Sequence, residues 1–286
     1  LFVGTLPYAT SAQERLPEET FPRPALEANF TPQAAGNQVW LDLEALPTPI
    51  GNFFTATLGF QLQMHPHVVM NLELPGGIGR VFGEPVAHVA PGNITSSVRG
   101  IGAVLPWLVL WGGVSLSIPT IWAIPATNDG LAESNVAAYS AAGRLGYDEE
   151  LFYPENVGVR VSFGLETSFA KIWRYRLDFS SVMLIAVGQD VGPRVNEASV
   201  VANVIASSSE FQVEVGGHVS IGARGQAILL LPEFAGGPFV EYEVPGTGVR
   251  IRADYLVGTG PSLPYGAVSP WGGTLNSVAL HVGYRL

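Results

Sequence analysis

Residues 157–187 read VGVRVSFGLETSFAKIWRYRLDFSSVMLIAV, two alternating runs of 13 and 15 residues joined by Ala170, Lys171 and Ile172. In the first run Val159, Val161, Phe163, Leu165, Thr167 and Phe169 alternate with Arg160, Ser162, Gly164, Glu166 and Ser168. In the second, Trp173, Tyr175, Leu177, Phe179, Met183, Ile185 and Val187 stand against Arg174, Arg176, Asp178 and Ser180. Successive strand side chains point to opposite faces, so a period of two sorts these residues into one apolar and one polar face. A three-residue loop then sets the register: Phe169 opposite Trp173, Thr167 opposite Tyr175, Leu165 opposite Leu177 and Phe163 opposite Phe179. Glu166 falls opposite Arg176 on the polar face, an opposite-charge cross-strand pair. A slip of one residue destroys both matches.

In a soluble sandwich the apolar face meets a second sheet, whereas in a membrane barrel it meets lipid and the polar face lines the lumen. Length separates the two. These runs exceed the usual strand of about 5–6 residues and suffice for a tilted membrane crossing, which takes about 9–11. Phe169, Trp173 and Tyr175 cluster at the turn end, where an interfacial aromatic girdle lies. The hairpin reads as transmembrane.

Composition agrees. Charged residues are 13% of the 286, against a typical quarter, with 34 glycines and 22 prolines. The net charge is −10 and no basic cluster exists, which argues against a nucleic-acid partner. Cysteine is absent, removing disulfides, thiolate metal sites and cysteine nucleophiles together. Residues 1–12, LFVGTLPYATSA, read as the tail of a secretory signal peptide whose charged start is missing. Residues 13–36 hold Pro17, Pro22, Pro24 and Pro32 without a period, an N-terminal arm expected to fold into a barrel as a plug.

The same alternation predicts one barrel over residues 37–286, with twelve strands (ten to fourteen) at 38–46, 53–64, 67–74, 95–105, 108–121, 157–169, 173–187, 198–206, 209–222, 226–244, 249–258 and 275–286. Residues 100–128 carry no charge and are long enough for a membrane helix, but Pro106, Pro119, Pro125 and the pair Gly112 and Gly113 break one. Short turns fall at 65–67, 106, 170–172, 207–208, where Ser207 and Ser208 are polar, and 245–248. Longer connections fall at 75–94, 122–156, 188–197 and 259–274, with a short helix expected in 135–145. Short and long connections thus segregate to opposite ends, as in bacterial barrels, whose strand numbers are even. Only an abrupt turn near Ala223 and Gly225 breaks the rule. A second hairpin supports the first, placing Glu243 opposite Arg250 and Glu241 opposite Arg252.

The inward charges are the functional candidates: Arg160, Glu166, Arg174, Arg176, Asp178, Glu241, Glu243, Arg250, Arg252 and Asp254. Charge rings set the selectivity of a pore, although side chains can equally satisfy one another and fill a small barrel. No metal site is indicated, because His65 and His67 flank Pro66 in a turn and no further ligand converges on them. No cofactor motif is present either, since none of the glycine doublets heads a strand–loop–helix unit.

The last strand, LNSVALHVGYRL (275–286), alternates Val278, Leu280, Val282, Tyr284 and Leu286 with Ala279, His281, Gly283 and Arg285. This resembles the C-terminal strand of Gram-negative outer-membrane β-barrel proteins, the signal read by the barrel assembly machinery, though those strands usually end in Phe or Trp rather than Leu. The resemblance implies an all-β, antiparallel up-and-down transmembrane barrel in the bacterial outer membrane. It further implies lipid contact and a porin-like role, passive uptake of small or hydrophobic solutes. The proline-bearing arm loosely resembles the hatch of the long-chain fatty-acid transporter family, whose Asn-Pro-Ala motif is absent here. His218 and Ser220, two apart on one expected strand face, are similar in spacing to the pair of outer-membrane phospholipase A. That leaves a lipid hydrolase as an alternative, although alternation points both residues toward the lumen rather than the lipid. A structural or adhesive barrel with binding loops is the third reading.

Overall fold

Alternation sustained over 10 to 17 residues leaves the backbone one way to satisfy its polar groups inside a bilayer: pairing with neighbours until the sheet closes. The computed structural model of the chain describes residues 37–48, 51–83, 85–105, 107–120, 156–169, 172–187, 200–228, 233–259 and 274–286. The strands are β1 (Gln38–Thr48), β2 (Gly51–His65), β3 (Val68–Val81), β4 (His88–Pro91), β5 (Ile94–Leu105), β6 (Leu108–Ile118) and β7 (Asn156–Phe169). There follow β8 (Trp173–Ala186), β9 (Val200–Gly216), β10 (Val219–Ile228), β11 (Glu233–Val244), β12 (Val249–Thr259) and β13 (Thr274–Arg285). Every pairing is antiparallel, and β1 closes the ring by pairing with both β2 and β13. The Leu286 amide donates to the Asn37 carbonyl at 2.9 Å at the seam.

Twelve strands form the barrel. β4 and β5 share the edge of β3, where β5 pairs with Val68–Glu73 and β4 takes over at Gly76–Gly79. They are one strand interrupted at Gly92 and Asn93. The expected loop over 75–94 is therefore too long, because β3 continues to Val81 through Pro75 and its glycines. Pro75 lacks an amide, but its carbonyl still accepts from the Gly92 amide at 2.9 Å, so the wall holds there.

The first hairpin has the expected register, with Phe169 opposite Trp173, Leu165 opposite Leu177 and Glu166 opposite Arg176. In the second, Glu243 is opposite Arg250 and Glu241 opposite Arg252. Between them the reading of the sequence fails. Ser207 and Ser208 make no turn; both lie inside β9, and Ser208 is buried on the inward face. The reversal sits ten residues later, where Gly216, Gly217 and His218 have φ of 105°, 61° and 67°. Glycine enters that region without steric cost, an advantage serine lacks. Ala223 and Gly225 are likewise interior to β10, and the single strand expected over 226–244 is two, ending at Ile228 and restarting at Glu233.

With these corrections the exception near Ala223 disappears. The connections between Gly216 and Val219 and between Val244 and Val249 join the short-turn end, together with Asn37 and Leu286. β6, β8 and β12 finish at the opposite end, where β7, β9 and β13 begin. The expected signal-peptide tail at 1–12, the arm at 13–36, the loop at 122–156 and its helix at 135–145 lie outside the described residues.

The faces divide as alternation requires. On β2, Phe54, Leu58, Phe60, Leu62 and Met64 point outward and are 37–62% exposed, while Phe53, Thr55, Thr57 and Gln61 point inward and are buried. A soluble protein with such an apolar exterior would aggregate, whereas in lipid it is the stable arrangement.

Candidate functional site in the barrel interior

Register brings residues scattered through the chain into rows across the interior wall. One row runs Glu166, Arg176, Glu210, Arg224 over β7 to β10, each directly opposite the next. A second runs Glu241, Arg252, His281, Asp42 over β11, β12, β13 and β1. The first row alternates carboxylates with guanidiniums, and the second brackets Arg252 and His281 between the carboxylates of Glu241 and Asp42, so that the charges meet partners on leaving bulk water.

The contacts knit the rows together. Arg252 donates from Nε to Asp254 Oδ2 at 2.8 Å, from Nη2 to Asp254 Oδ1 at 2.6 Å, and from Nη1 to Glu210 Oε2 at 2.9 Å. β9 and β12 are three strands apart, so the last bond bridges part of the lumen. His281 donates from Nδ1 to Asp42 Oδ1 at 2.9 Å, and its Nε2 lies 3.1 Å from Asp254 Oδ2. A continuous chain thus links Asp42, His281, Asp254, Arg252 and Glu210. On the other side Arg176 Nε donates to Asp178 Oδ2 at 3.2 Å, and Arg174 Nε lies 3.5 Å from Glu166 Oε1. Arg160 donates from Nη1 to Ser180 Oγ at 3.3 Å.

Aromatic rings complete the lining. Phe239 lies against Gly222 directly across β10 and β11, where a Cβ would stand 2.3 Å from the ring, and the Arg252 guanidinium stacks 3.7 Å above its centroid. Trp111 covers Gly164 in the same way, with the guanidinium carbons of Arg99 and Arg176 at 5.4 and 6.0 Å from its ring. Cation–π contact gives each guanidinium a partner that does not compete for its hydrogen bonds. Toward the long-loop end the inward positions become apolar at Leu46, Phe53, Val182, Leu184 and Leu256.

Nine of the ten sequence candidates point inward and are buried: Arg160, Glu166, Arg174, Arg176, Asp178, Glu241, Arg250, Arg252 and Asp254. Glu243 differs. It sits at the rim with its side chain 45% exposed, 3.5 Å from Arg250. His218 and Ser220 do not form the expected pair, because His218 is in the turn after β9 and only Ser220 faces inward. The hydrolase reading loses its geometry with that turn. The list of candidates drawn from the sequence omits Asp42, Glu44, Glu73, Arg99, Glu210 and His281, all of them buried in this interior. Alternation alone assigns most of them to the inward face; that Asp42 meets His281 depends on ring closure, which no local pattern reveals.

No family profile matches the chain, and no curated protein does. Solved structures do. An outer membrane channel from Pseudomonas putida F1 superposes with a TM-score of 0.55 at 8% identity, covering 94% of this chain and 98% of that one. The NanC porin superposes with a TM-score of 0.51 at 6% identity, covering 87% of this chain and 100% of that one. At such identities the likeness is one of fold, and the fold is that of the outer-membrane β-barrel.

Proposed function

We propose that the protein is a passive outer-membrane channel for small solutes, with a narrow bore lined by charges of both signs. One observation carries this reading: a closed barrel, apolar outside, holds its ionic side chains inside. Burying ion pairs is an expensive way to fill a barrel, since apolar residues of similar volume are often neutral or stabilising by about 1–4 kcal/mol. A barrel selected only for rigidity has no need of Arg252, Asp254, Glu210, His281 and Asp42 in contact. A path for polar solutes does need them. The names of the two superposing proteins, a channel and a porin, support the same reading.

The alternating rows leave the lumen near neutral despite the overall charge of −10. Modest selectivity between cations and anions follows. The apolar inward residues near the long loops add a second filter, since hydrophobic constrictions gate by dewetting. Membrane lipid and the barrel assembly machinery are the expected partners, the latter through β13. The test is single-channel recording of the purified protein in planar bilayers. Discrete steps of low conductance support the channel; verified insertion with no conductance refutes it and revives the structural barrel.

A further inference from the structure

We propose that the bore binds a small zwitterion, its carboxylate at Arg174 and Gln212 and its ammonium at Glu166 and Glu241. The inference rests on the channel reading and deepens it by naming the solute class.

The interior treats its charged side chains in two ways. Arg252 is well engaged, bonded to Asp254 and Glu210 and stacked on Phe239. Arg174 is buried as deeply, 2% exposed, yet none of its three guanidinium nitrogens has a hydrogen-bond partner among the described residues. Its near carboxylate, Glu166, stands 3.5 Å from Nε, which leaves the edge formed by Nη1 and Nη2 unmet. Gln212 is directly opposite Arg174 across β8 and β9, and neither its amide oxygen nor its amide nitrogen is bonded. The acceptors are in the same condition. Both oxygens of Glu166 and Oε2 of Glu241 are buried without a hydrogen bond among the described residues. Stability alone does not account for such groups in a barrel that satisfies Arg252, because each unpaired buried donor or acceptor carries its full desolvation cost.

The four residues lie in one layer of the bore. Arg174 is the second residue of β8, and Glu166, Gln212 and Glu241 lie within four residues of the short-turn ends of β7, β9 and β11. Arg174 and Glu241 come from strands three apart and are within electrostatic reach of one another, with Arg250 also acting on Glu241. Two guanidiniums and two carboxylates balance there, so a solute without net charge enters at the lowest electrostatic cost. The Nη1 and Nη2 edge of Arg174 matches the two oxygens of a carboxylate, and Gln212 Nε2 supplies a further donor. An ammonium carries donors only, which suits Glu166, Glu241 and Gln212 Oε1. A hydroxylated neutral solute can fill the same bonds, but charge-assisted bonds are about twice as strong as neutral ones, which selects the zwitterion.

Tracer uptake into vesicles holding the refolded full chain, corrected for protein-free vesicles, tests this. The probes are alanine, its uncharged isomer lactamide, and lactate, which has the carboxylate alone. Wild type should admit alanine about fivefold faster than lactamide, and faster than lactate, through the charge-assisted bonds. Gln212→Leu changes no charge and should cut the alanine-to-lactamide ratio about twofold, from loss of neutral hydrogen bonds. Arg174→Lys keeps the charge but loses the planar fork, and should bring the ratio to about one. Val98→Ala, outward on β5, should change nothing. Heat-modifiable gel mobility confirms that each variant is folded, and Gln212→Leu carries the test if Arg174→Lys is not. Equal entry of alanine and lactamide, faster entry of lactate than alanine, or an unchanged ratio in folded Gln212→Leu would each overturn the inference and leave the channel standing. Entry of no solute into vesicles that hold inserted protein would overturn both.

Discussion

Two rows of the interior wall solve burial differently. Across β1, β2, β3, β5 and β6 one row of directly opposed residues is Gln38, Gln61, Asn71, Ser97 and Ser115, all neutral and all buried. Across β7 to β10 the comparable row is Glu166, Arg176, Glu210 and Arg224, fully ionic. Amides and hydroxyls are cheap to desolvate and tolerate partial pairing. Charges are costly and tolerate it poorly, so each must find an opposite sign in register. The neutral row is accordingly the forgiving one and the ionic row the exacting one, although Glu73 and Arg99 stand buried two residues from Asn71 and Ser97 on β3 and β5.

The largest test of that contrast is Arg252→Ala. It leaves Glu210 and Asp254 buried without their shared cation, a loss of about 3–5 kcal/mol. Asn71→Ala in the neutral row strands no charge and no hydrogen-bond partner, and should cost under about 1.5 kcal/mol. Urea titration of the barrel refolded into vesicles measures both. Similar losses for the two would abolish the distinction between neutral and ionic burial.

Next in size is the contrast between outer and inner faces. Leu165→Arg or Leu177→Arg places a charge against lipid and should cost about 2–4 kcal/mol near the midplane. Ser162→Arg, inward on the same strand as Leu165, should be tolerated far better in the same vesicle assay. Equal tolerance would sink the lipid-facing assignment.

Smaller again is Gly164→Ala. Its Cβ would stand 2.5 Å from both the Trp111 ring and the Leu177 carbonyl, an overpacking worth about 1–3 kcal/mol. No change in the midpoint would mean that the indole does not rest where the structure puts it.

The smallest effect is purely geometric. Cysteines introduced by Glu243→Cys and Arg250→Cys should crosslink, since directly opposed positions have Cβ atoms about 4.5–5.5 Å apart. The combination Glu243→Cys with Ile251→Cys spans opposite faces and should not. Crosslinking of only the second combination would place the turn wrongly by one residue.

These contrasts also mark what could be read before the structure. The hairpin of β7 and β8 was fully legible because its turn is short and its two faces differ sharply in polarity. Even there contact and register part ways: Arg176 stands opposite Glu166 yet hydrogen-bonds to Asp178 on its own strand. β9 and β10 were misread because Ser207 and Ser208 resemble turn residues, while in a barrel small polar residues also serve as inward strand positions. The cue that decided the case was the glycine pair at 216 and 217, where the backbone needs positive φ. The chain from Asp42 through His281 was out of reach for a different reason. It joins residues 239 apart in sequence through closure of the ring.

The most direct test of the account is the reversal potential of single channels in a salt gradient, for wild type and for Glu241→Gln combined with Glu243→Gln. The account predicts weak selectivity for wild type. The double variant removes the carboxylates opposite Arg252 and Arg250 and should shift the reversal potential toward anions, because rings of charge select by sign. The shift should shrink at 1 M salt, where the Debye length falls to about 3 Å. An inserted protein that passes no current, or a conducting variant whose reversal potential matches wild type at low salt, would contradict the account.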